Sequence, residues 1–482
     1  MAASGAFIAF FNVFFPNTLY RYPFSSIVVI GFAVTLQLGP LFFTAIEKNS
    51  LTYNLNMPLN TFSHALLAII CCVVAHHLYR RSKMLRRFRL RLQSVMLNVG
   101  VFRPLNIREV IFMGALGVAS FGILPFVGDL RASVFIKFIE GIRFFAVIPS
   151  AYLLQVLTED NSIDCTARDF KRQSAFLIFF VFTILNLIAG LLRNTRSNFI
   201  VPVVCFVICY ILYWLCGLVR IRLSALLAAL LSFFLIFPYL VDLSTAIVMT
   251  RGFRANVSPV VLMQETLLQM DDRAAIRSYR QLMASIDTSS DSWNESYVDN
   301  LFLARFANAK FPDNSIFYES LLTEKQRSEM QNHTYHEAVS ILPSPVLNLF
   351  DLDLIKSEAQ KSSMGDKMYS LASGNSYALG SFRTGHFFGV AFSVFGWFYL
   401  PLLVLSLVFI FPFIDSHALS EFGFQLAPPV ISSLAISLLY FWFTLSNKES
   451  LIGLLSFPLR EYFETILLFT VSRRAIRIIA FR

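Results

Sequence analysis

Three charged side chains lie inside an otherwise apolar stretch of the chain. Lys137, Glu140 and Arg143 are spaced at i, i+3 and i+6 in a run rich in Phe, Ile and Val. In a helix this spacing places them within about a third of the circumference. Inside a membrane each ionised group costs roughly 2.5 to 3.5 kcal/mol, so the three should face a wet cavity or one another. They form either a salt bridge that locks helices together or, because the cations are in excess, a surface for an anionic substrate.

A second set of cations lies at the ends of hydrophobic runs. The set comprises Arg193, Arg196, Arg251, Arg254 and Arg383. A guanidinium group is planar and can contact two diphosphate oxygens at once. One such arginine is usually an interface anchor, whereas several around one segment favour an anion cavity. Together with Lys137 and Arg143, these arginines are therefore the predicted diphosphate-binding residues.

Other ionisable residues lie near these cations. His386 begins the hydrophobic run that follows the last of these arginines, and Glu140 lies within the apolar run described above. His386 could be an interfacial residue, because two Phe follow it. Arg305, in the long polar segment, could form a loop salt bridge. The sequence His-Thr-Tyr-His-Glu at 333–337 lacks a fourth ligand, so we predict no metal and no cofactor.

The composition places these residues in a membrane protein. Of the 482 residues 56% are apolar and only 15% are charged, and a soluble surface of that size needs more charge. Ten runs approach the roughly 20 residues that cross about 30 Å of hydrocarbon. They are 24–46, 59–79, 107–128, 133–157, 174–192, 199–219, 222–248, 386–413, 425–446 and 450–471.

We therefore predict an all-α polytopic membrane protein with about ten or more transmembrane helices. Its parts would be N-terminal transmembrane helices (1–248), a large loop domain (249–385) between the seventh and eighth spans, and C-terminal transmembrane helices with a tail (386–482). Within the loop, apolar residues at helical spacing predict an amphipathic helix over 260–286. Small polar residues over 366–380 predict a mobile lid.

Basic residues predict the orientation. Eight Lys or Arg residues between positions 80 and 103, with no acid among them, follow the second run. Such loops stay in the cytoplasm, so counting outward places the 249–385 loop outside and the Arg-rich C-terminal tail inside. The formal net charge of +10 thus collects where anionic membrane lipid heads lie, and we predict no nucleic-acid partner.

Short stretches of the chain resemble a known family. They are Leu-Leu-Arg-Asn-Thr-Arg-Ser-Asn-Phe-Ile at 191–200, Ile-Leu-Pro-Ser-Pro at 341–345, and Gly-Ser-Phe-Arg-Thr-Gly-His-Phe-Phe-Gly at 380–389. These stretches, and the layout of most of the chain, look like the corresponding parts of Wzy-type O-antigen and exopolysaccharide polymerases.

The resemblance implies a membrane-embedded glycosyltransferase of GT-C-like architecture. Donor and acceptor would both be undecaprenyl-diphosphate-linked oligosaccharides, and the growing chain would move from its lipid diphosphate to a sugar hydroxyl of a new lipid-linked repeat. The arginines would stabilise the leaving diphosphate without a metal. His386, with Glu140 as the second candidate, would accept the proton of the acceptor hydroxyl, and Arg305 would contact the sugar. The resemblance further implies a bacterial inner membrane, a periplasmic loop and a chain-length regulator protein as partner.

Two other functions remain open. An O-antigen ligase would share the fold and the loop, although an Asn is expected after the loop-exit histidine, where this chain has Phe387. A lipid-linked sugar flippase or transporter would also explain the charges within the apolar run. It would more often have inverted repeats with broken helices and no single dominant loop.

We predict that Arg196→Ala abolishes chain extension at unchanged protein level, and that Arg196→Lys restores only part of it. A planar two-pronged contact with phosphate cannot be copied by lysine. Its loss in a dehydrated site should cost about 2 to 4 kcal/mol, roughly 30- to 1000-fold in rate. Product length at matched expression is the measurement. Near-normal long chains from Arg196→Lys would assign this arginine to the scaffold, since an interface anchor tolerates lysine.

Overall fold

The computed structural model describes most of the chain as helix. The described residues are 2–123, 134–158, 165–195, 201–221, 223–255, 257–285, 309–342, 361–381, 383–420, 424–428 and 448–480, with the short pieces 293–295, 297–298, 300, 303, 307, 347, 349–350 and 352. Within them, the only strands are Ala418–Leu419 and Gln425–Leu426, which pair antiparallel.

Twelve α-helices are described in the first half of the chain. They are α1 Ala2–Val13, α2 Pro16–Arg21, α3 Pro23–Ala33, α4 Gly39–Ile46, α5 Pro58–Arg81, α6 Lys83–Val99, α7 Ile107–Ile123, α8 Val134–Ile142, α9 Ile148–Thr158, α10 Cys165–Leu192, α11 Val201–Leu215 and α12 Leu223–Met249. A π-helical turn, Val34–Leu38, joins α3 to α4, and a 3₁₀ turn, Arg143–Val147, joins α8 to α9.

Nine further helices are described in the second half. They are α13 Pro259–Asp271, α14 Arg273–Ser285, α15 Lys310–Ser320, α16 Glu324–Ser340, α17 Met364–Ser373, α18 Phe387–Phe395, α19 Tyr399–Asp415, α20 Leu451–Ser456 and α21 Tyr462–Ala480. Short turns of 3₁₀ or π helix connect some of them: Thr250–Ala255, Ser376–Ala378, Gly396–Phe398 and Phe457–Glu461.

Six helical segments among the described residues are long and apolar enough to cross a membrane. They are Pro23–Ile46, Pro58–Arg81, Phe138–Thr158, Asp169–Leu192, Leu226–Phe253 and Phe387–Asp415. The predicted class, an all-α polytopic membrane protein, agrees with these six helices. The count of ten stays a prediction, because α7 and α11 have 17 and 15 residues and most of 425–446 is not described.

The apolar core joins the ends of the chain. Helix α5 packs along α19, and α3 packs against both. The side chains buried between these helices include Phe24, Phe32, Ala68, Cys72, Leu403, Leu407 and Phe411. Pro at the first position of α3 and α5 favours helix initiation, since proline lacks the N–H that would be unsatisfied there.

Two predictions about the 249–385 loop need correction. The single amphipathic helix over 260–286 is two helices, α13 and α14, which break at Asp272, whose carboxylate accepts the backbone N–H groups of Ala274 and Ala275 at 3.0 and 2.9 Å. The predicted mobile lid over 366–380 does not hold for its first half, where α17 is packed with Asp366 and Met368 fully buried; residues 373–377 are exposed, and their mobility stays a prediction.

A buried carboxylate ties the loop to the membrane helices. Asp313, in the first turn of α15, accepts the backbone N–H groups of Asn56 and Met57 at 2.8 and 2.7 Å, just before α5 begins. It also pairs with Lys310 at 3.1 Å, and Thr61 donates to it at 3.3 Å. Asp313 is completely buried and Lys310 almost so. A buried ion pair of this kind needs all its partners, because each ion is costly to desolvate alone.

We predict that Asp313→Ala lowers the free energy of unfolding by about 3 to 5 kcal/mol, because it leaves the Lys310 ammonium buried without its counter-charge. The thermal transition of the purified protein in detergent measures the loss. Asp271→Asn is the matched control, since Asp271 is exposed. Adding Lys310→Met to Asp313→Ala should recover part of the stability. A double variant no more stable than Asp313→Ala would show that the ion pair is not the cause.

Candidate functional site

Arg383, at the exit of the loop, is held by a buried carboxylate. Asp366 accepts hydrogen bonds from the backbone N–H groups of Gly380 and Arg383 and from the Ser381 hydroxyl at 2.8 to 3.1 Å. The Arg383 guanidinium pairs with the same carboxylate at 3.3 Å and lies over the Tyr369 ring, 4.6 Å from its centroid. Its charge is therefore partly neutralised within the chain. The predicted role of Arg383 in diphosphate binding stays a prediction.

His386 is fully buried where α18 begins. Its Nδ1 accepts the backbone N–H of Phe388 at 3.1 Å and so caps the helix, a contact worth about 0.5 to 2 kcal/mol. Its backbone N–H donates to the Ser315 hydroxyl at 2.8 Å. Because Nδ1 is engaged in the cap, a base at this position would act through Nε2.

The structure brings the Arg193 turn and the Arg251 turn together. Asn194 follows Arg193 in the left-handed conformation, with φ at 51°, and donates to the Thr250 hydroxyl at 2.9 Å. The Thr250 and Thr266 hydroxyls are also 2.9 Å apart. These three polar side chains are buried. Two of the predicted diphosphate-binding arginines therefore flank one rigid polar junction.

Glu140 and Arg143, charged residues of the apolar run, lie in a different part of the molecule from His386. Glu140 is exposed on α8, and Arg143 is half-buried at the start of the 3₁₀ turn that follows. Helix α8 packs against α7 and α21, whereas α18, which His386 caps, packs against α15 and α16. The two predicted bases, His386 and Glu140, thus lie on helices with different neighbours.

Four predicted site residues have no described side chain. Lys137 lies on α8 and Arg254 on the turn after α12, but only their backbones are described. Arg196 and Arg305 fall outside the described ranges altogether. Their predicted roles in diphosphate and sugar binding therefore stay predictions.

A cleft of about 410 Å³ opens between α16 and α18. Arg327 lines it and donates from Nη2 to Glu319 at 2.9 Å and from Nη1 to Glu324 at 3.1 Å. Its Nε is buried and has no hydrogen-bond partner in the described part of the chain. Gln331, one turn further, donates to the Val394 carbonyl at 3.3 Å. This surface, the Arg327 cleft, combines hydrogen-bond donors and acceptors and has two carboxylates for one guanidinium, which suits a polyhydroxylated ligand better than an anion.

Aromatic rings border the Arg327 cleft. Gly396 lines it and ends α18 with φ at 54° and ψ at −146°, a conformation essentially restricted to glycine. The next residues, Trp397 and Phe398, are 56% and 66% exposed. Trp397 stacks on the His64 ring at 5.0 Å, and His64 Nδ1 lies 2.7 Å from the Tyr399 hydroxyl. The exposed indole of Trp397 also packs on Phe392, a ring that lines the cleft.

Helix α16 reaches from this cleft to a second group of acids. Glu449 accepts the backbone N–H of Met364 at 3.0 Å. Burial raises the pKa of Glu449 to about 7, against the lowering effect of that hydrogen bond. Repulsion from nearby carboxylates adds to the rise: Glu337, Asp366 and Glu295. Burial also raises the pKa of Glu337, near the end of α16. A proton is thus held at this end of the loop near neutral pH.

These features define an all-helical membrane protein with at least two polar sites beside its apolar helices. Among the described residues, no group of three or more His, Cys, Asp or Glu side chains is arranged to hold a metal ion. Comparisons with protein-family models, with curated proteins and with solved structures found no match for this chain.

The Arg327 cleft was not predicted from the sequence. Arg327 lies among alternating charges in Glu-Lys-Gln-Arg, a pattern typical of a solvated helix face. One local signal was available: Thr323 and Gln326 form a capping box that marks the start of α16. The pair Gly396 and Trp397 at the end of an apolar helix was another. Neither signal reveals that the two elements meet.

We predict that Glu449 makes stability fall as the pH rises. Because its folded pKa, about 7, exceeds the ordinary 4.5, the native state holds the proton more tightly; this stabilisation is complete below about pH 4.5 and is lost as the pH rises through 7. Melting temperatures between pH 5 and 8.5 should therefore decline, and Glu449→Gln should flatten the decline while Asp271→Asn keeps it. An unchanged slope in Glu449→Gln would refute the assignment.

Proposed function

We propose that this protein is a membrane glycosyltransferase of the O-antigen polymerase type. It would transfer an oligosaccharide chain from a lipid diphosphate onto a new lipid-linked repeat, at the periplasmic face of a bacterial inner membrane. The observation that carries the proposal is the Arg327 cleft, where a guanidinium paired with two carboxylates lies near an exposed indole. The resemblance of short sequence stretches to Wzy-type polymerases points the same way.

Sugar binding is the chemistry that suits this cleft. Hydroxyl groups both donate and accept, so they can pair with the second N–H of an Arg327 Nη group, with carboxylate oxygens and with the Gln331 amide at once. The C–H face of a sugar ring can pack on the Trp397 indole. A bare diphosphate suits this cleft less well, because Glu319 and Glu324 already balance the guanidinium.

The diphosphate is better matched by the arginines at the polar junction. Arg193 and Arg251 flank the buried contact between Asn194 and Thr250. Fixed cations aimed at the oxygens where charge develops lower the barrier for loss of a diphosphate. In the proposed mechanism these two arginines, with Arg196 and Arg254, take that role and no metal is needed.

The transfer step moves one proton. The acceptor hydroxyl attacks the anomeric carbon, the bond between that carbon and the diphosphate oxygen breaks, and the lipid diphosphate leaves with the electron pair. The hydroxyl proton passes to a base. We assign this role to Glu319, which lines the cleft and whose pKa burial raises against the lowering effect of Arg327. His386, acting through Nε2, and Glu140 are the other proposed bases.

We predict that Arg327→Gln and Glu319→Gln each shorten the polymer at normal protein level. Losing a hydrogen bond to a charged group costs about 1.5 to 3 kcal/mol, roughly 10- to 150-fold in rate. Gel separation of surface polysaccharide from complemented cells measures chain length. Arg277→Gln is the matched control, because Arg277 is an exposed arginine of the same loop. Full-length polymer from both cleft variants would remove this cleft from the active site.

The lipid-linked products of a strain that lacks the protein distinguish the three candidate functions, which are polymerase, ligase, and flippase or transporter. Loss of a polymerase leaves lipid A capped with single repeats. Loss of a ligase accumulates long chains on the lipid diphosphate. Loss of a flippase or transporter leaves single lipid-linked repeats on the cytoplasmic leaflet. The second or third result would replace the proposal with the corresponding alternative.

A further inference from the structure

A small cavity of about 70 Å³ lies at the opposite end of α21 from the acids described above. The end of α6 and the segment that follows it form one wall, and the last turns of α21 form the other. Four arginines line it: Arg103, Arg473, Arg474 and Arg477. We call it the four-arginine cavity. It adjoins the basic segment after α5, on the side predicted to be cytoplasmic.

One of these arginines is part of the framework. Arg473 is 4% exposed and donates from Nε to Glu109 at 2.9 Å, and from Nη1 to the carbonyls of Gly100 and Arg103 at 3.2 and 2.9 Å. Its Nη2 bonds to the Pro104 carbonyl. This cation is therefore fixed in position and cannot swing out to water.

The cations around the cavity outnumber the acids. Glu109 binds both Arg473 and Arg477, and it is the one carboxylate paired with the four arginines among the described residues. Arg103 and Arg474 have no acidic partner in that part of the chain. Burial lowers the pKa of Arg473, and repulsion from Arg477 and Arg103 lowers it further, against the raising effect of Glu109.

The backbone conformation at Gly100 brings Arg103 close to Arg473. Gly100 ends α6 in the left-handed conformation, with φ at 83°. A side chain there would meet Arg103 Cδ and Nε at 3.2 Å, so the Arg103 side chain lies directly over this glycine. The Gly100 carbonyl is also a partner of Arg473. Two guanidinium groups therefore share one small site although they repel each other.

We propose that the four-arginine cavity binds a phosphate group. Fixed guanidinium forks match phosphate oxygens, and an anion would offset the surplus charge. About 10 to 15 Å³ of cavity volume holds one water molecule, so the cavity has room for a phosphate group. The phosphate can belong to the headgroup of an acidic phospholipid or to a soluble phosphate compound. This site is separate from the Arg327 cleft and does not depend on the proposed function.

The test compares phosphate with chloride at constant ionic strength. Protein in phosphatidylcholine nanodiscs is melted with potassium chloride, and then with part of it replaced by inorganic phosphate. General screening depends on ionic strength alone, whereas a built site distinguishes the anions. We expect phosphate to raise the melting temperature, and Arg103→Gln with Arg474→Gln to weaken its apparent affinity about tenfold or more. Arg87→Gln, an exposed arginine of α6, is the matched control.

A second experiment identifies the source of the phosphate group. The protein is released from nanodiscs of equal parts phosphatidylcholine and phosphatidylglycerol for native mass spectrometry, which counts the lipids that the protein retains. Retained phosphatidylglycerol without an effect of inorganic phosphate assigns the cavity to a headgroup, and the reverse result assigns it to a soluble phosphate. The proposal is overturned if neither ligand binds, or if the double variant binds both as well as Arg87→Gln does.

Discussion

The carboxylate of Asp313 is the interaction on which the arrangement of the molecule depends. It fixes α15 to the start of α5 through two backbone N–H groups and the Thr61 hydroxyl, while the buried Lys310 ammonium of α15 balances its charge. The next turn of α15 then contacts α18: Ser315 accepts the backbone N–H of His386. A Cβ at Gly389 would lie 2.0 Å from the Ser315 carbonyl oxygen, so only glycine permits this approach. One short helix thereby joins two membrane-length segments.

The geometry of the Arg327 cleft depends on the contacts of α15 with α5 and α18. Glu319 belongs to the last turn of α15, Glu324 begins α16, and the Arg327 guanidinium bridges the two. The opposite wall is α18, which α15 holds in place. Chemistry at such a site requires reacting groups placed to within fractions of an ångström, and packed helices supply that more reliably than mobile loops. A displaced α15 would move one carboxylate relative to the guanidinium and to the indole of Trp397.

Much of the fold can be read from the sequence because hydrophobicity is a local property. The runs 24–46 and 59–79 nearly coincide with the segments Pro23–Ile46 and Pro58–Arg81. The polar contacts cannot be read in this way. Asp313 lies more than 250 residues from Asn56, and nothing in either neighbourhood indicates the other. The polar composition around Asp366 suggested mobility, whereas its carboxylate accepts hydrogen bonds from Gly380, Ser381 and Arg383 and so ties the end of the segment to α17.

The central claim is transfer of sugar from a lipid diphosphate, and reconstitution tests it most directly. Purified protein in liposomes would receive a defined lipid-diphosphate-linked repeat, and mass spectrometry would follow both the saccharide and the freed lipid diphosphate. We expect lipid-linked dimers and longer chains, with one lipid diphosphate released for each repeat added, and no requirement for a divalent metal. A repeat that crosses the bilayer unchanged, with no lipid diphosphate released under conditions where the protein is folded, would contradict it.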